Sequence, residues 1–224
     1  MIALGVAALT KSYGDRVALG PVDLEVAEGE RVALIGHNGS GKTTLLRIAV
    51  GLLDASTGRV EVRGRPAGSV QARRAVSWLG DTPTFYDDLS LLEHLEFIAR
   101  MHGVVDWRPR ADALLERLGL VDRRDDLPTT FSRGLRQKSA IAIAFVRPFR
   151  LVLVDEPFVG LDVTGREALL SLLDEAAAEG AAQMVATHDL AFVERVSRVV
   201  ALRDGVVIHD GAPPDDGAAL ARPE

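Results

Sequence analysis

Gly36-His37-Asn38-Gly39-Ser40-Gly41-Lys42-Thr43 is the stretch that decides the fold of this 224-residue chain. It matches the pattern G-x-x-x-x-G-K-[ST], whose glycines let the backbone turn so that successive N–H groups point at a phosphate. The apolar run Arg31–Ile35 before it is typical of a buried strand, and residues 42–50 after it of a helix. The alternative is a glycine-rich turn that matches the pattern by chance. The strand before the segment and the helix after it argue against this alternative, because a phosphate-binding loop requires both.

The residue types of this loop predict how it holds a nucleotide. Lys42 is expected to reach the β- and γ-phosphates, and the Thr43 hydroxyl to bind Mg²⁺. The positive end of the dipole of the helix that begins here also attracts the negatively charged phosphates. The loop residues predicted to bind the nucleotide are Gly36, Asn38, Gly39, Ser40, Gly41, Lys42, Thr43 and Thr44.

A second apolar run, residues 151–154, ends in two carboxylates. Asp155 at the strand tip is expected to bind Mg²⁺, and Glu156 to orient or deprotonate the attacking water. Two acids after an apolar strand are common by themselves. This interpretation therefore depends on the phosphate-binding loop upstream.

Hydrophobic periodicity predicts the remaining elements. The first stretch, to about Gly64, reads as short strands, and the middle third as helical, with an S-x-x-E capping box at Ser90 and Glu93. The other predicted strands are 58–63, 183–186, 199–202 and 206–208, and the other predicted helices are 110–118, 137–146, 164–178 and 189–196. Alternating strands and helices are typical of a largely parallel sheet.

The phosphate-binding loop and the alternating elements predict an α/β fold with a P-loop NTPase core and a mostly parallel sheet. We also expect an N-terminal antiparallel β part and a helical subdomain. We expect one domain, with residues 1–83 and 147–211 as the core with its β part. We expect residues 84–146 to form the helical subdomain and residues 212–224 to form a flexible tail.

Composition narrows the class of protein. The chain is 47% hydrophobic, which suffices for a full core, and its net charge of -6 argues against a nucleic-acid partner. It has no cysteine, which excludes disulfides and thiolate metal sites. Its apolar runs are shorter than the roughly 20 residues of a membrane-spanning helix, so we expect a soluble chain whose membrane role requires a partner.

Further segments resemble, in the same order, those of ABC-type ATPases. Tyr13 lies where that family has an aromatic side chain that stacks on adenine, although an ordinary surface role is the alternative. The segment 160–162 (GLD) resembles the D-loop of the family. Thr187 and His188 resemble its switch-histidine motif.

The segment 131–138 (FSRGLRQK) resembles the family's signature segment. Ser132 and Gly134 match the positions whose hydroxyl and backbone N–H contact the γ-phosphate of the ATP held by the other subunit. Arg133 and Leu135 depart from the usual L-S-G-G-Q pattern and resemble variants of exporter-type subunits.

Two other positions also depart from the family pattern. Asp81 lies about where the family has the glutamine of its Q-loop, and it is a candidate Mg²⁺ ligand through bound water. Either the Asp81 carboxylate takes over the glutamine's role in coupling the ATPase to the membrane partner, or the alignment of this segment with the family is shifted by one residue. Ile143 lies where the family usually has an arginine, near the end of the helix that follows the signature segment. His37 lies at a position of the phosphate-binding loop that varies within the family, so we assign it no role here.

The resemblance implies an ATPase in which Glu156, His188 and Lys42 are catalytic and ATP and Mg²⁺ are bound. It implies dimerisation on ATP with a second ABC ATPase subunit, either the same chain or a different one. It also implies a separate transmembrane permease, a cytoplasmic location at the inner face of the cell membrane, and transport in the direction of export.

Other functions remain as alternatives. Within transport, a drug- or lipid-type exporter competes with an ATPase similar to the haem-export ATPase of cytochrome c maturation. A soluble ABC-type ATPase that acts on DNA or ribosomes is an alternative of another class, but such proteins usually carry two such domains or a long coiled coil. A P-loop kinase or GTPase does not explain the signature segment and the switch histidine.

Overall fold

The computed structural model describes residues 1–213, without the side chain of Leu190. The strands are β1 (Ile2–Tyr13), β2 (Arg16–Ala27), β3 (Arg31–Ile35), β4 (Thr57–Val62), β5 (Arg65–Pro66), β6 (Val76–Leu79), β7 (Leu151–Asp155), β8 (Ala182–Ala186), β9 (Arg198–Arg203) and β10 (Val206–Gly211). The α-helices are α1 (Lys42–Ala49), α2 (Val70–Ala75), α3 (Leu91–Met101), α4 (Arg108–Arg117), α5 (Arg133–Phe145), α6 (Val163–Ala178) and α7 (Leu190–Val193). The predicted tail, 212–224, lies outside the described residues from residue 214 onward.

The chain divides into two compact units. The sheet unit consists of Met1–Trp78, Phe149–Glu156 and the described residues from Ala176 onward. The helical unit consists of Leu79–Pro148 and Pro157–Glu175, so it contains the predicted subdomain 84–146 together with most of α6.

The six-stranded sheet of the sheet unit has the order β10-β9-β3-β8-β7-β6. Strand β3 runs parallel to β8 and β9, β7 runs parallel to β8, and β9 and β10 form an antiparallel pair. All residues of β7 and β8 are buried, as expected for strands covered on both faces. Because β8 lies between β3 and β7, the carboxyl ends of these three parallel strands meet at one edge of the sheet.

The second sheet is antiparallel, with the order β2-β1-β4-β5, which confirms the predicted N-terminal β part. The prediction of short strands here was wrong, because β1 and β2 each have 12 residues. Their pairing register shifts at several points, including between Val6 and Leu9. Each shift interrupts the alternation of apolar and polar residues that marks a strand in sequence.

One hydrophobic core fills the sheet unit. Fully buried residues from both sheets and from α1 form it, among them Leu4, Leu34, Leu45, Leu46 and Leu153. Each such side chain contributes about 1.5–3 kcal/mol when it leaves water. This packing fixes α1 and the loop before it against the strands that carry the other site residues.

The helical unit packs α3, α4 and α5 against one another around buried residues such as Leu95, Leu114 and Ile141. The predicted capping box of α3 is confirmed. The Ser90 hydroxyl accepts from the Glu93 N–H at 3.3 Å, and the Ser90 N–H donates to Glu93 Oε2 at 2.7 Å. The bond from the Ser90 backbone holds the pKa of the Glu93 carboxyl below its ordinary value.

Among the predicted helices, α5 and α7 differ most from the sequence prediction in their bounds. Helix α5 begins at Arg133, four residues before the predicted start, because Ser132 is its N-cap. Helix α7 spans only Leu190–Val193 instead of 189–196. After it, the Arg195 N–H donates to the Phe192 carbonyl at 2.9 Å, a tighter i→i+3 turn that ends the α-helix.

Candidate functional site

The phosphate-binding loop connects β3 to α1 in the sheet unit. Gly36 has a φ of 152°, and a Cβ at this position would lie 2.2 Å from the Leu202 carbonyl oxygen. Gly41 has a φ of 106°, and its Cβ would lie 2.6 Å from Leu19 Cδ2. Only glycine fits at these two positions, because the loop passes directly against β9 and β2.

Lys42, the first residue of α1, folds back over the loop. Its Nζ donates to the Gly36 carbonyl at 2.6 Å and to the His37 carbonyl at 3.3 Å. Burial lowers the pKa of the Lys42 ammonium below its ordinary value, while the negative charges of Glu156 and Asp155 oppose that shift. The positively charged end of Lys42 is therefore buried inside the loop, where it can contact a bound phosphate.

The carboxyl ends of β7 and β8 bring the other predicted catalytic side chains to this edge of the sheet. Glu156 follows β7, and its Oε2 lies 2.9 Å from His188 Nδ1. Its Oε1 lies 4.0 Å from Lys42 Nζ. Three side chains from three separate segments therefore converge, and the direct Glu156–His188 contact was not predicted from the sequence.

The backbone at Glu156 is strained. Its φ is 45°, a left-handed conformation that costs a non-glycine residue about 1 kcal/mol or more. The Glu156 N–H donates to the Ala186 carbonyl of β8 at 2.8 Å, which holds the backbone in this conformation. In this backbone conformation the side chain of Glu156 contacts both Lys42 and His188.

The oxygen atoms of the sheet unit suit a hard divalent cation. Asp155 is fully buried at the end of β7, and Thr43 is the second residue of α1. Mg²⁺ prefers carboxylate and hydroxyl oxygens of this kind. At Gly39 a Cβ would have nothing within 4 Å, so the loop leaves open space for a ligand there. The residues present therefore fit a nucleotide with Mg²⁺.

Tyr13 lies at the end of β1 in the sheet unit, and 52% of its surface is exposed. Lys11 Nζ lies 5.0 Å from the centroid of its ring. The adenine-stacking role of Tyr13 stays a prediction.

The other predicted site residues belong to the helical unit. Asp81 is exposed at a bend after β6, and Ser132 is exposed at the start of α5. The Ser132 hydroxyl accepts from the Leu135 N–H at 3.4 Å. A Cβ on Gly134 would lie 2.9 Å from the Gly160 carbonyl oxygen, so the signature segment and the D-loop lie in contact.

A second contact joins the signature helix to the D-loop. Lys138 Nζ lies 2.8 Å from Asp162 Oδ2, and Asp162 Oδ1 accepts from the Gly165 N–H at 2.8 Å. The hydrogen bond from Lys138 is the main reason that the pKa of Asp162 lies below its ordinary value. Sequence reasoning missed this pair, because its residues lie 24 positions apart.

Comparisons with known proteins agree with this fold. The family model described as ABC transporter matches residues 19–159. The SkfA peptide export ATP-binding protein SkfE of Bacillus subtilis (strain 168) is 34% identical over 205 residues, which cover 90% of this chain and 86% of that protein.

Two solved structures are also similar. One is the ATP-binding subunit of an ABC transporter, with 35% identity, a TM-score of 0.89 and coverage of 94% of this chain and 90% of that chain. The other is a dimeric bacterial ABC transporter cassette, with 27% identity, a TM-score of 0.85 and coverage of 93% and 98%.

This chain belongs to the ABC transporter family and is an ATPase of that family. The predicted fold class and enzyme class are thereby confirmed, and the alternative of an ATPase that acts on DNA or ribosomes is not favoured. Across residues 1–213, no helix combines the length and the apolar character needed to cross a membrane.

Proposed function

We propose that this chain hydrolyses ATP with Mg²⁺ inside a dimer and thereby powers export through a separate membrane-spanning subunit. The convergence of Lys42, Glu156 and His188 at the carboxyl ends of β3, β7 and β8 is the observation that carries the proposal. The name of the peptide-export relative favours export. The resemblance to a haem-export ATPase stays a prediction.

The nucleotide binds on the sheet unit. The backbone N–H groups from Gly36 to Thr44 surround the phosphates, and Lys42 exchanges the Gly36 carbonyl for phosphate oxygens. Tyr13 stacks on the adenine. Thr43 and Asp155 would hold Mg²⁺, which would supply positive charge to the β- and γ-phosphates. The role of Asp81 as a Mg²⁺ ligand through water stays a prediction.

Glu156 and His188 act on the attacking water. Its oxygen forms a bond to the γ-phosphorus as the bond to the β–γ bridging oxygen breaks, and its proton passes to Glu156. His188, at 2.9 Å from Glu156, keeps the carboxylate oriented. The products are ADP and inorganic phosphate, and most of the rate gain comes from positioning and charge stabilisation.

A second subunit completes each site. Ser132 is exposed at the N-terminus of α5, where its hydroxyl and the Gly134 N–H can reach the γ-phosphate held by the partner. The phosphate then bridges two chains, so ATP favours the closed dimer and its hydrolysis favours reopening. The dimeric cassette among the similar structures supports this arrangement.

Replacing Ser132 with alanine tests the contact with the partner. We expect kcat for ATP hydrolysis to fall about 10- to 100-fold, because a hydrogen bond to a charged phosphate is lost. Loss of the helix cap also lowers the free energy of unfolding by about 1 kcal/mol. Steady-state ATPase assays and denaturant unfolding measure the two effects.

Ser90→Ala is the matched control, because the Ser90 hydroxyl caps α3 in the same unit and accepts from the third N–H of its helix, as the Ser132 hydroxyl does in α5. It should destabilise the chain at least as much as Ser132→Ala and leave kcat unchanged. If both variants lose activity equally, the Ser132 hydroxyl acts only as a cap and its role toward the partner is wrong.

Exposed apolar side chains in the helical unit support docking of a membrane subunit. Tyr86 and Met101 are 55% and 64% exposed, and the rings of Tyr86 and Phe97 pack edge to face with centroids 5.4 Å apart. Apolar surface of this kind marks interaction sites in proteins. We place the permease on this surface and the chain at the cytoplasmic face of the membrane.

The double variant Tyr86→Ser, Phe97→Ser tests this docking surface. We expect the fraction of chain that sediments with membranes of its source cells to fall about tenfold, since two hot-spot contacts are lost. The ATPase activity of the purified chain should not change. Leu52→Ser with Val70→Ser is the control, because both side chains are exposed on the sheet unit; equal release by this control would contradict the assignment.

A further inference from the structure

The turn between β9 and β10 braces the phosphate-binding loop. The Gly205 N–H donates to the Ser40 carbonyl at 3.0 Å, and the Gly205 carbonyl accepts from the Gly20 N–H at 2.9 Å. Asp204 and Gly205 have φ values of 49° and 81°, as in a tight two-residue hairpin turn. The turn therefore fixes the backbone of the loop from the side of β9.

His37 provides a second link between the loop and this turn. Its Nδ1 lies 2.8 Å from the Asn38 carbonyl oxygen, and its Nε2 lies 3.4 Å from Asp204 Oδ1. A carbonyl oxygen only accepts, so Nδ1 carries a proton. In the neutral ring, Nε2 would then direct a lone pair at a carboxylate. Only the imidazolium, with a proton on both nitrogens, satisfies both contacts.

Two charged groups lie close to this ring or to its backbone, and a third lies close to one of these two groups. Asp204, from the turn, faces the ring and forms an ion pair with it only when the ring is protonated. The ammonium of Lys42, from α1, lies 3.3 Å from the His37 carbonyl oxygen. Glu156, after β7, lies 4.0 Å from that ammonium and offsets part of its charge.

We infer that His37 and Asp204 form a proton-dependent clamp on the phosphate-binding loop, so that the nucleotide affinity of this chain rises as pH falls from 8 to 6. The inference rests on the proposed nucleotide site. Histidine ordinarily gains its proton in this pH range. The imidazolium ties the loop to the turn and adds positive charge where phosphates bind, and both effects favour bound nucleotide.

The test measures the Kd of a fluorescent ADP analogue with Mg²⁺ at pH 6 and at pH 8. The chains compared are the wild type, Asp204→Asn, His37→Gln and the double variant. Asparagine tolerates the left-handed conformation of Asp204, so the turn should persist without its carboxylate. Glu25→Gln is the control for charge, because this exposed carboxylate makes no hydrogen bond or ion pair within residues 1–213.

We expect the ratio of Kd at pH 8 to Kd at pH 6 to be about two- to fivefold larger in the wild type and the control than in the other three chains. The phosphates of the analogue titrate in every sample, so the comparison between chains isolates the clamp. The double variant should show the same Kd ratio as the single variants. A concentration of 1 M NaCl should reduce the difference in Kd ratio between the wild type and the variants, because salt screens an exposed ion pair.

The proposed clamp is ruled out if Asp204→Asn or His37→Gln keeps the full wild-type ratio of Kd at pH 8 to Kd at pH 6. A wild-type chain that binds the analogue at neither pH would instead overturn the proposed nucleotide site. The two failures are therefore distinguishable.

Discussion

Replacement of Glu156 by glutamine is expected to lower kcat for ATP hydrolysis by about 10²- to 10⁴-fold, the usual contribution of general-base catalysis. Glutamine has nearly the same shape, so the hydrogen bond from its backbone to Ala186 should persist. Its amide cannot accept the proton of the water. ATP binding should survive, and size-exclusion chromatography in Mg-ATP should show a dimer that accumulates because turnover has stopped.

Glu156→Asp separates the chemistry from the packing, since it keeps a carboxylate at a greater distance from His188. We expect its kcat to lie between those of the wild type and Glu156→Gln. Hydrolysis by Glu156→Gln at the wild-type rate would show that the base is another group. If neither the wild type nor Glu156→Gln dimerises with ATP, a heterodimer with a different partner chain becomes the leading interpretation.

Replacement of Lys42 by alanine is expected to weaken the binding of Mg-ADP and Mg-ATP by about 10- to 100-fold, because charge-assisted hydrogen bonds to phosphate are lost. The chain should also unfold more easily, since Lys42 is the buried cation beside Asp155 and Glu156. Isothermal titration calorimetry and denaturant unfolding measure the two quantities.

Lys138→Ala is the matched control, because Lys138 is also a buried lysine paired with an acid, Asp162, but lies in the helical unit. It should leave the Kd for Mg-ADP unchanged in the single chain. Equal Kd values for wild type and Lys42→Ala would show that the ammonium, held by the Gly36 carbonyl, never reaches the phosphates.

Local spacing in the sequence predicted much of this protein. The phosphate-binding loop was found because its strand and helix lie directly beside it in the chain. The capping box of α3 was found because Ser90 and Glu93 lie one helical turn apart. The pair Asp155 and Glu156 was found because an apolar strand ends there. In each case the interacting groups are near neighbours in sequence, so their spacing is enough to predict the local geometry.

The tertiary structure decided the contacts that join distant segments. Only the strand order places β8 between β3 and β7, and this order brings His188 to Glu156 and Glu156 to Lys42. The strained φ of Glu156 also depends on a hydrogen bond to β8, and the brace of the phosphate-binding loop depends on the turn after β9. These contacts join residues that lie 30 to 165 positions apart in the chain, and no spacing within a single segment encodes them.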